Sequence, residues 1–242
     1  MESDEWYFSW FNEDYLHLYA NRNEEEAEKH IQFIIEKLQL SGKEMVLDLA
    51  CGSGRHSLSL AKRGYHVFGV DASKTLIEEA LKNVRKYPSL SVSYLVGDML
   101  QLDYNHVFDL VISMFTSFGY FERDEDNWKV FEVVRKALKH KGYFFLDFLN
   151  PQHVKKNMVA YEEKTVNNEQ VTITRTIENH RAIKEIVFPT RRYKESVCLY
   201  ERDQIEQALS KNNLKPIEVW SDYEGNPWSE EGERQIFWCV AE

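Results

Sequence analysis

Two apolar runs lie about one helix apart in this chain, and they constrain its fold more than any other feature. The first is Met45-Val46-Leu47-Asp48-Leu49, closed by Ala50-Cys51-Gly52-Ser53-Gly54; the second, His66 to Asp71, reads HVFGVD. The first run has the character of a buried strand. Its glycines let the backbone turn sharply and bring a ligand close to the helix that follows. Strand, glycine loop and helix, then a strand ending in an acid, is how an α/β sheet holds a nucleoside cofactor.

The alternation extends in both directions. Upstream, Ala27, Ile31, Ile34, Ile35 and Leu38 recur at helical spacing until Ser41-Gly42. Downstream, patterning predicts helix 55–63, strand 65–70, helix 74–86, strand 91–96, strand 107–113, helix 125–139 and strand 143–148. Five strands with crossover helices imply a parallel sheet. Asn150-Pro151 interrupts this rhythm, and residues 159–200 alternate with period two. Asn167-Asn168 and Asn179-His180 are turn dipeptides that divide this stretch into three or four antiparallel strands. Helix 202–212, strand 214–219, a polar loop and strand 235–240 then return to the main sheet. The expected organisation is an aromatic and helical cover (1–40), a main α/β domain (41–150 and 201–242) and an inserted antiparallel sheet (151–200). That insert would cover a substrate or form a dimer contact.

Composition narrows the function by exclusion. The net charge of -10 and sequence pI near 5.4 oppose binding to a phosphate backbone, which draws on clustered Lys and Arg. Nucleic acid is therefore not the expected partner. No apolar stretch approaches the roughly 20 residues needed to span a bilayer, and the acidic, aromatic start MESDEWYFSWF is unlike a secretory signal. Cys51, Cys198 and Cys239 are odd in number and widely spaced, as expected of reduced thiols. A cytoplasmic protein without a membrane partner, monomer or homodimer, is expected. No metal-ligand cluster stands out.

The glycine segment departs from a nicotinamide-binding loop in two ways. Ser57 stands where a third small residue is expected, and Asp48 puts an anion where a pyrophosphate would be repelled. A cofactor with a sulfonium and an α-ammonium would be attracted instead, and S-adenosylmethionine carries both. Asp71, seventeen residues past Gly54, is placed to accept from ribose hydroxyls. Asp98-Met99, after the third strand, offers a carboxylate to an adenine amino group and a thioether to its face, although Asp after Gly also simply starts turns.

The segments VLDLACGSGRHSLSLAKRGYHVFGVDAS, GDML and FDLVISMFTSFGYF together resemble a class I S-adenosylmethionine-dependent methyltransferase. The resemblance implies an α/β, doubly wound seven-stranded sheet of order 3-2-1-4-5-7-6, with strand 7 antiparallel. SMFTSFGYF and the insertion after strand five are most like the small-molecule branch, including sugar N-methyltransferases. Ala50 replaces the first glycine of the family pattern. The cofactor would be held by Asp48, Ala50, Cys51, Gly52, Gly54, Asp71, Ala72, Asp98 and Met99, with Met114 and Phe115 after strand four. Tyr19 and Arg22 would add to it from the N-terminal segment, Arg22 at the cofactor's carboxylate.

The aromatic residues between Trp6 and Tyr19 suit either a packed helix or a lid that excludes water. His56 is read as a capping or packing residue. Arg191 and Arg192 either hold an anionic substrate group or form a charged pair on an exposed strand. Tyr15, Tyr120 and His153 are candidates for orienting or deprotonating a substrate. The substrate is expected to be a small-molecule methyl acceptor, an amine ahead of a hydroxyl. The competing functions are a regulatory module that binds the cofactor without turnover and a nicotinamide oxidoreductase.

Overall fold

The computed structural model describes residues 5–242. Residues 1–4, which begin the acidic N-terminal stretch and the 1–40 cover, lie outside the described residues. The main sheet contains β1 (Met45–Leu49), β2 (His66–Asp71), β3 (Val92–Val96), β4 (Phe108–Ser113), β5 (Leu138–Leu149), β10 (Leu214–Trp220) and β11 (Arg234–Ala241). Its order is β10-β11-β5-β4-β1-β2-β3. β11, the seventh strand of this sheet in chain order, runs antiparallel to β5, with Phe237 opposite Leu146. This is the 3-2-1-4-5-7-6 order expected from the sequence.

Both faces of the sheet are buried, so its strands are apolar at consecutive positions instead of alternating with polar ones. Leu47, Val111, Phe144 and Leu146 point to one side. There they pack with Val130, Phe131 and Val134 of α6 (Asp124–Ala137) and with Ile205 and Leu209 of α8 (Arg202–Lys211). Val46, Leu110, Ile112 and Phe145 point to the other, against Ile31, Ile34 and Leu38 of α3 (Glu24–Leu38) and Leu60 of α4 (Arg55–Lys62). α5 (Lys74–Val84) packs beside β2 and β3.

The first forty residues therefore divide. α3 is a layer of the main domain, and only α1 (Trp6–Trp10) and α2 (Glu13–Leu18) form a cover. They rest on the inserted sheet of β6 (Tyr161–Val166), β7 (Glu169–Glu178), β8 (Arg181–Val187) and β9 (Arg192–Cys198), whose order is β6-β7-β8-β9. Trp10 and Leu18 join Val171, Ile173, Ile186 and Phe188 in a separate core there. Asn167-Asn168 (φ 49° and 66°) and Asn179-His180 (φ 47° and 61°) make two-residue turns with both φ positive. The insert also contains α7 (Pro151–Asn157), where the sequence reading had only a break. Asn150 caps it by accepting the Gln152 N–H, and Pro151 fits the first turn because its missing donor would have had no helical partner.

Arg191 is not available to an anionic substrate. Its guanidinium pairs with both carboxylate oxygens of Asp14 on α2 and both of Glu169 on β7. The residue thus fastens the cover to the insert. Cys51, Cys198 and Cys239 are buried free thiols. No helix among the described residues is long and apolar enough to cross a membrane.

Candidate active site

A cavity of about 340 Å³ opens at the carboxyl edge of the parallel strands. The chain there runs outward from β1 to β2 and β3, then crosses back to β4, the type of switch point at which doubly wound sheets bind ligands. Ala50, Cys51 and Gly52 follow β1, Asp71 ends β2, Ala72 follows it, and Asp98 and Met99 follow β3; all line the cavity with Asp48. Met114 and Phe115, after β4, form another part of the wall. Tyr15, Tyr19, Arg22 and Tyr120 enclose the far side.

Asp71 connects two loops. One carboxylate oxygen accepts the Gly52 N–H and the other the Ser73 N–H, each at 2.8 Å. Lone pairs remain on both oxygens, enough to accept from a pair of hydroxyls. Burial pushes its pKa up. Asp48 is only 1% exposed and accepts from Ser57 Oγ at 2.5 Å. Desolvation pushes its pKa up to about 7. The countercharge expected from the sequence is therefore partly protonated at neutral pH until a cation favours its ionised form. Asp98 lines the cavity and also accepts the Leu100 N–H at 2.9 Å, starting a short 3-10 turn.

Two predicted residues lie outside the cavity wall. Gly54 begins α4 with φ 75°, and Tyr94 OH donates to its carbonyl at 3.3 Å. A Cβ at Gly54 would stand 2.4 Å from that hydroxyl, so close packing explains the glycine. His153 belongs to α7, and its buried Nδ1 has no hydrogen-bond partner. It follows β5 closely in sequence, but the Asn150-Pro151 cap turns the chain into a helix that leaves it outside the wall.

Tyr15 and Tyr120 do line the cavity, but burial raises both phenol pKa values. They are suited to orienting a substrate and poorly suited to deprotonating it. Tyr15 OH accepts from Arg22 at 2.9 Å. The Arg22 guanidinium lies 3.8 Å from the Tyr19 ring centroid and 4.1 Å from that of Phe115. His56 both packs and lines the cavity; its Nε2 stands 3.2 Å from His30 Nδ1, and burial lowers both pKa values.

Two charged wall residues, Glu195 and Arg234, were missed in the sequence, while Trp6 and Phe11 belong to the aromatic run read there as a packed helix or a lid. Arg234 Nε donates to buried Asp147 at 2.7 Å, and its Nη2 donates to Thr116 at 2.8 Å. Asp147 also accepts the Phe115 N–H at 3.0 Å. This network holds Phe115 and Thr116 at φ 58° and 68°, and Ala50 is also left-handed at φ 56°. Such non-glycine conformations cost on the order of 1 kcal/mol each. Ala50 in place of a glycine thus introduces strain beside the ligand site. Glu195 had one legible signal, being an acid on the same face of a period-two strand as Tyr193 and Val197.

The wall carries the carboxylates of Asp48, Asp71, Asp98 and Glu195 and the guanidiniums of Arg22, Arg55 and Arg234. Arg55 is paired with Glu26 at 2.9 Å and Arg234 with Asp147 at 2.7 Å. Glu195 is in turn paired with Lys184 at 3.6 Å, which leaves Asp48, Asp71 and Asp98 against Arg22, an excess of acid that suits a cationic ligand. S-adenosylmethionine meets this requirement through its sulfonium and ammonium.

The sheet order is that of the class I methyltransferase fold. Residues 46–142 match the family described as methyltransferase domain. A glycine/sarcosine N-methyltransferase of Parasynechococcus marenigrum (strain WH8102) is 33% identical over 125 residues, covering 51% of this chain. The chain spans only 44% of that relative's length. Among solved structures, an S-adenosylmethionine-dependent methyltransferase from Clostridium acetobutylicum is similar with TM-score 0.79 and 21% identity, covering 93% of this chain and 95% of that one. The sugar N-methyltransferase KedS8 from Streptoalloteichus sp. is similar with TM-score 0.71 and 19% identity, covering 95% and 92%. The two structural likenesses establish the fold.

Proposed function

We propose that this protein transfers a methyl group from S-adenosylmethionine to the nitrogen of a small-molecule amine. One observation carries the proposal: the carboxylate-lined cavity is roofed by aromatic rings from the cover and walled by the insert. Trp6 and Tyr120 have centroids 5.0 Å apart, and Phe11 and Tyr15 4.9 Å apart. An enclosure of about 340 Å³ suits a small acceptor and lacks the extended cationic surface a polynucleotide needs. The excess of acidic groups favours an amine over a neutral hydroxyl. The names of relatives that methylate glycine, sarcosine and sugar nitrogen support the same choice.

In this proposal Asp71 holds the ribose, Asp98 and Met99 hold the adenine, and the loop Ala50–Gly52 with Asp48 receives the charged end beside Arg22. When bound, S-adenosylmethionine supplies an electrophilic methyl group on a sulfonium. The protein's own contribution is placement and dehydration: the rings of Trp6, Phe11, Tyr15 and Tyr120 exclude water and align the acceptor for in-line attack. Positive charge is spread between sulfur and nitrogen in such a transfer and no anion forms, so an oxyanion-type donor set is not required.

The test is transfer of a trideuteromethyl group from labelled cofactor to a panel of amines and matched alcohols, read by mass spectrometry. The expected result is label on nitrogen of at least one amine and on none of the matched alcohols. Label on oxygen alone contradicts the amine assignment. Cofactor binding with no transfer to any acceptor favours a regulatory module.

A further inference from the structure

Glu195 is an acid that the inserted sheet brings into the cavity wall, together with Val197. Glu195 Oε1 is fixed by two donors, Trp10 Nε1 at 2.7 Å and Tyr19 OH at 2.8 Å. Its Oε2 faces Lys184 Nζ at 3.6 Å, beyond hydrogen-bond length, and the Glu195 side chain is 20% exposed. Lys184 donates to Tyr19 OH instead. One carboxylate oxygen is thus held by two hydrogen bonds, while the other meets Lys184 only as an ion pair and keeps lone pairs for a further donor. Trp6, in the same wall, has a buried Nε1–H without a partner. The pair requires a cationic N–H donor and a nearby acceptor atom, surrounded by aromatic faces that also favour a cation.

We propose that Glu195 binds the methyl acceptor as an ammonium and removes its proton, and that the acceptor also carries a hydrogen-bond acceptor atom for Trp6. This rests on the methyltransferase reading above. The ammonium donates to Oε2 and passes one proton to it, leaving a lone pair on nitrogen. That lone pair forms the N–C bond while the methyl–sulfur bond breaks with its electron pair left on sulfur. The product leaves as the N-methylammonium, and the proton on Glu195 is released to water. A hydroxyl in place of the amine offers Oε2 no charge, so Glu195 is the residue that selects nitrogen.

The test uses two probes of one shape, trans-2-aminocyclohexanol and trans-1,2-cyclohexanediol, titrated calorimetrically into protein loaded with S-adenosylhomocysteine. Wild type is expected to bind the amino alcohol at least about tenfold more tightly than the diol, the range of a charge-assisted hydrogen bond. Glu195→Gln is expected to bind S-adenosylhomocysteine as wild type does and to lose the preference. Glu195→Asp keeps the charge and should keep part of the preference, which separates charge from shape. Equal affinity for the probes, binding of neither, or a preference that survives in Glu195→Gln overturns the assignment. Wild type that takes up no S-adenosylhomocysteine overturns the methyltransferase reading itself, a separately visible outcome.

Discussion

A buried aspartate that titrates near neutrality makes ligand binding depend on pH. Desolvation holds Asp48 at about 7, against 3.8 for the free side chain. Between those values the folded, unliganded protein retains a proton that the unfolded chain has released. The contribution of Asp48 to stability therefore falls as pH rises through this window and is level above it. A cationic ligand favours the carboxylate, so cofactor affinity should rise by up to about tenfold from about pH 6 to about pH 8. Calorimetry on Asp48→Asn should show a much flatter profile; an unchanged rise would assign the dependence to another group. Asp48 and Asp71 were legible because each ends an apolar strand next to a turn. The protonation of Asp48 was not, because desolvation depends on what α4 and the roof bring over it. Gly54 shows the same limit, since the ring that requires it comes from Tyr94, forty residues away.

At the scale of elements, the cover and insert behave as two halves of one enclosure, fastened by Arg191 to Asp14 and Glu169. These side chains are partly exposed, so Arg191→Met should leave global stability nearly unchanged. Local opening is a different quantity. Amide exchange in α1 and α2 should accelerate clearly while the main sheet stays protected, and equal protection of α1 and α2 in both proteins would contradict the fastening role. The insert's hairpins were legible in their asparagine dipeptides, because few residues besides glycine accept two consecutive positive φ angles. α7 was not recognised although Asn150-Pro151 is a helix-start signal, since the proline was weighed only as a break. Neither the partner of Arg191 nor the surroundings of Glu195 can be read from β9 alone, because both depend on helices that pack from the opposite end of the chain.

For the whole molecule, the seven-stranded order was accessible because crossover helices and a final antiparallel strand leave few ways to arrange the sheet. The same topology brings Asp48, Asp71 and Asp98 to one edge from three successive strands, so the side of the cavity proposed for the cofactor follows from the fold. The side proposed for the acceptor does not, being assembled from α1, α2, β9 and the start of β11, which the chain joins only through tertiary packing. The most direct measurement is calorimetric titration of S-adenosylmethionine into wild type and Asp71→Asn. The amide preserves the volume of the side chain while removing its charge and one acceptor oxygen, which should weaken binding by about tenfold or more. Saturable one-to-one binding by wild type with that loss in Asp71→Asn is the predicted result; no binding by wild type, or equal affinity in the two proteins, would contradict it.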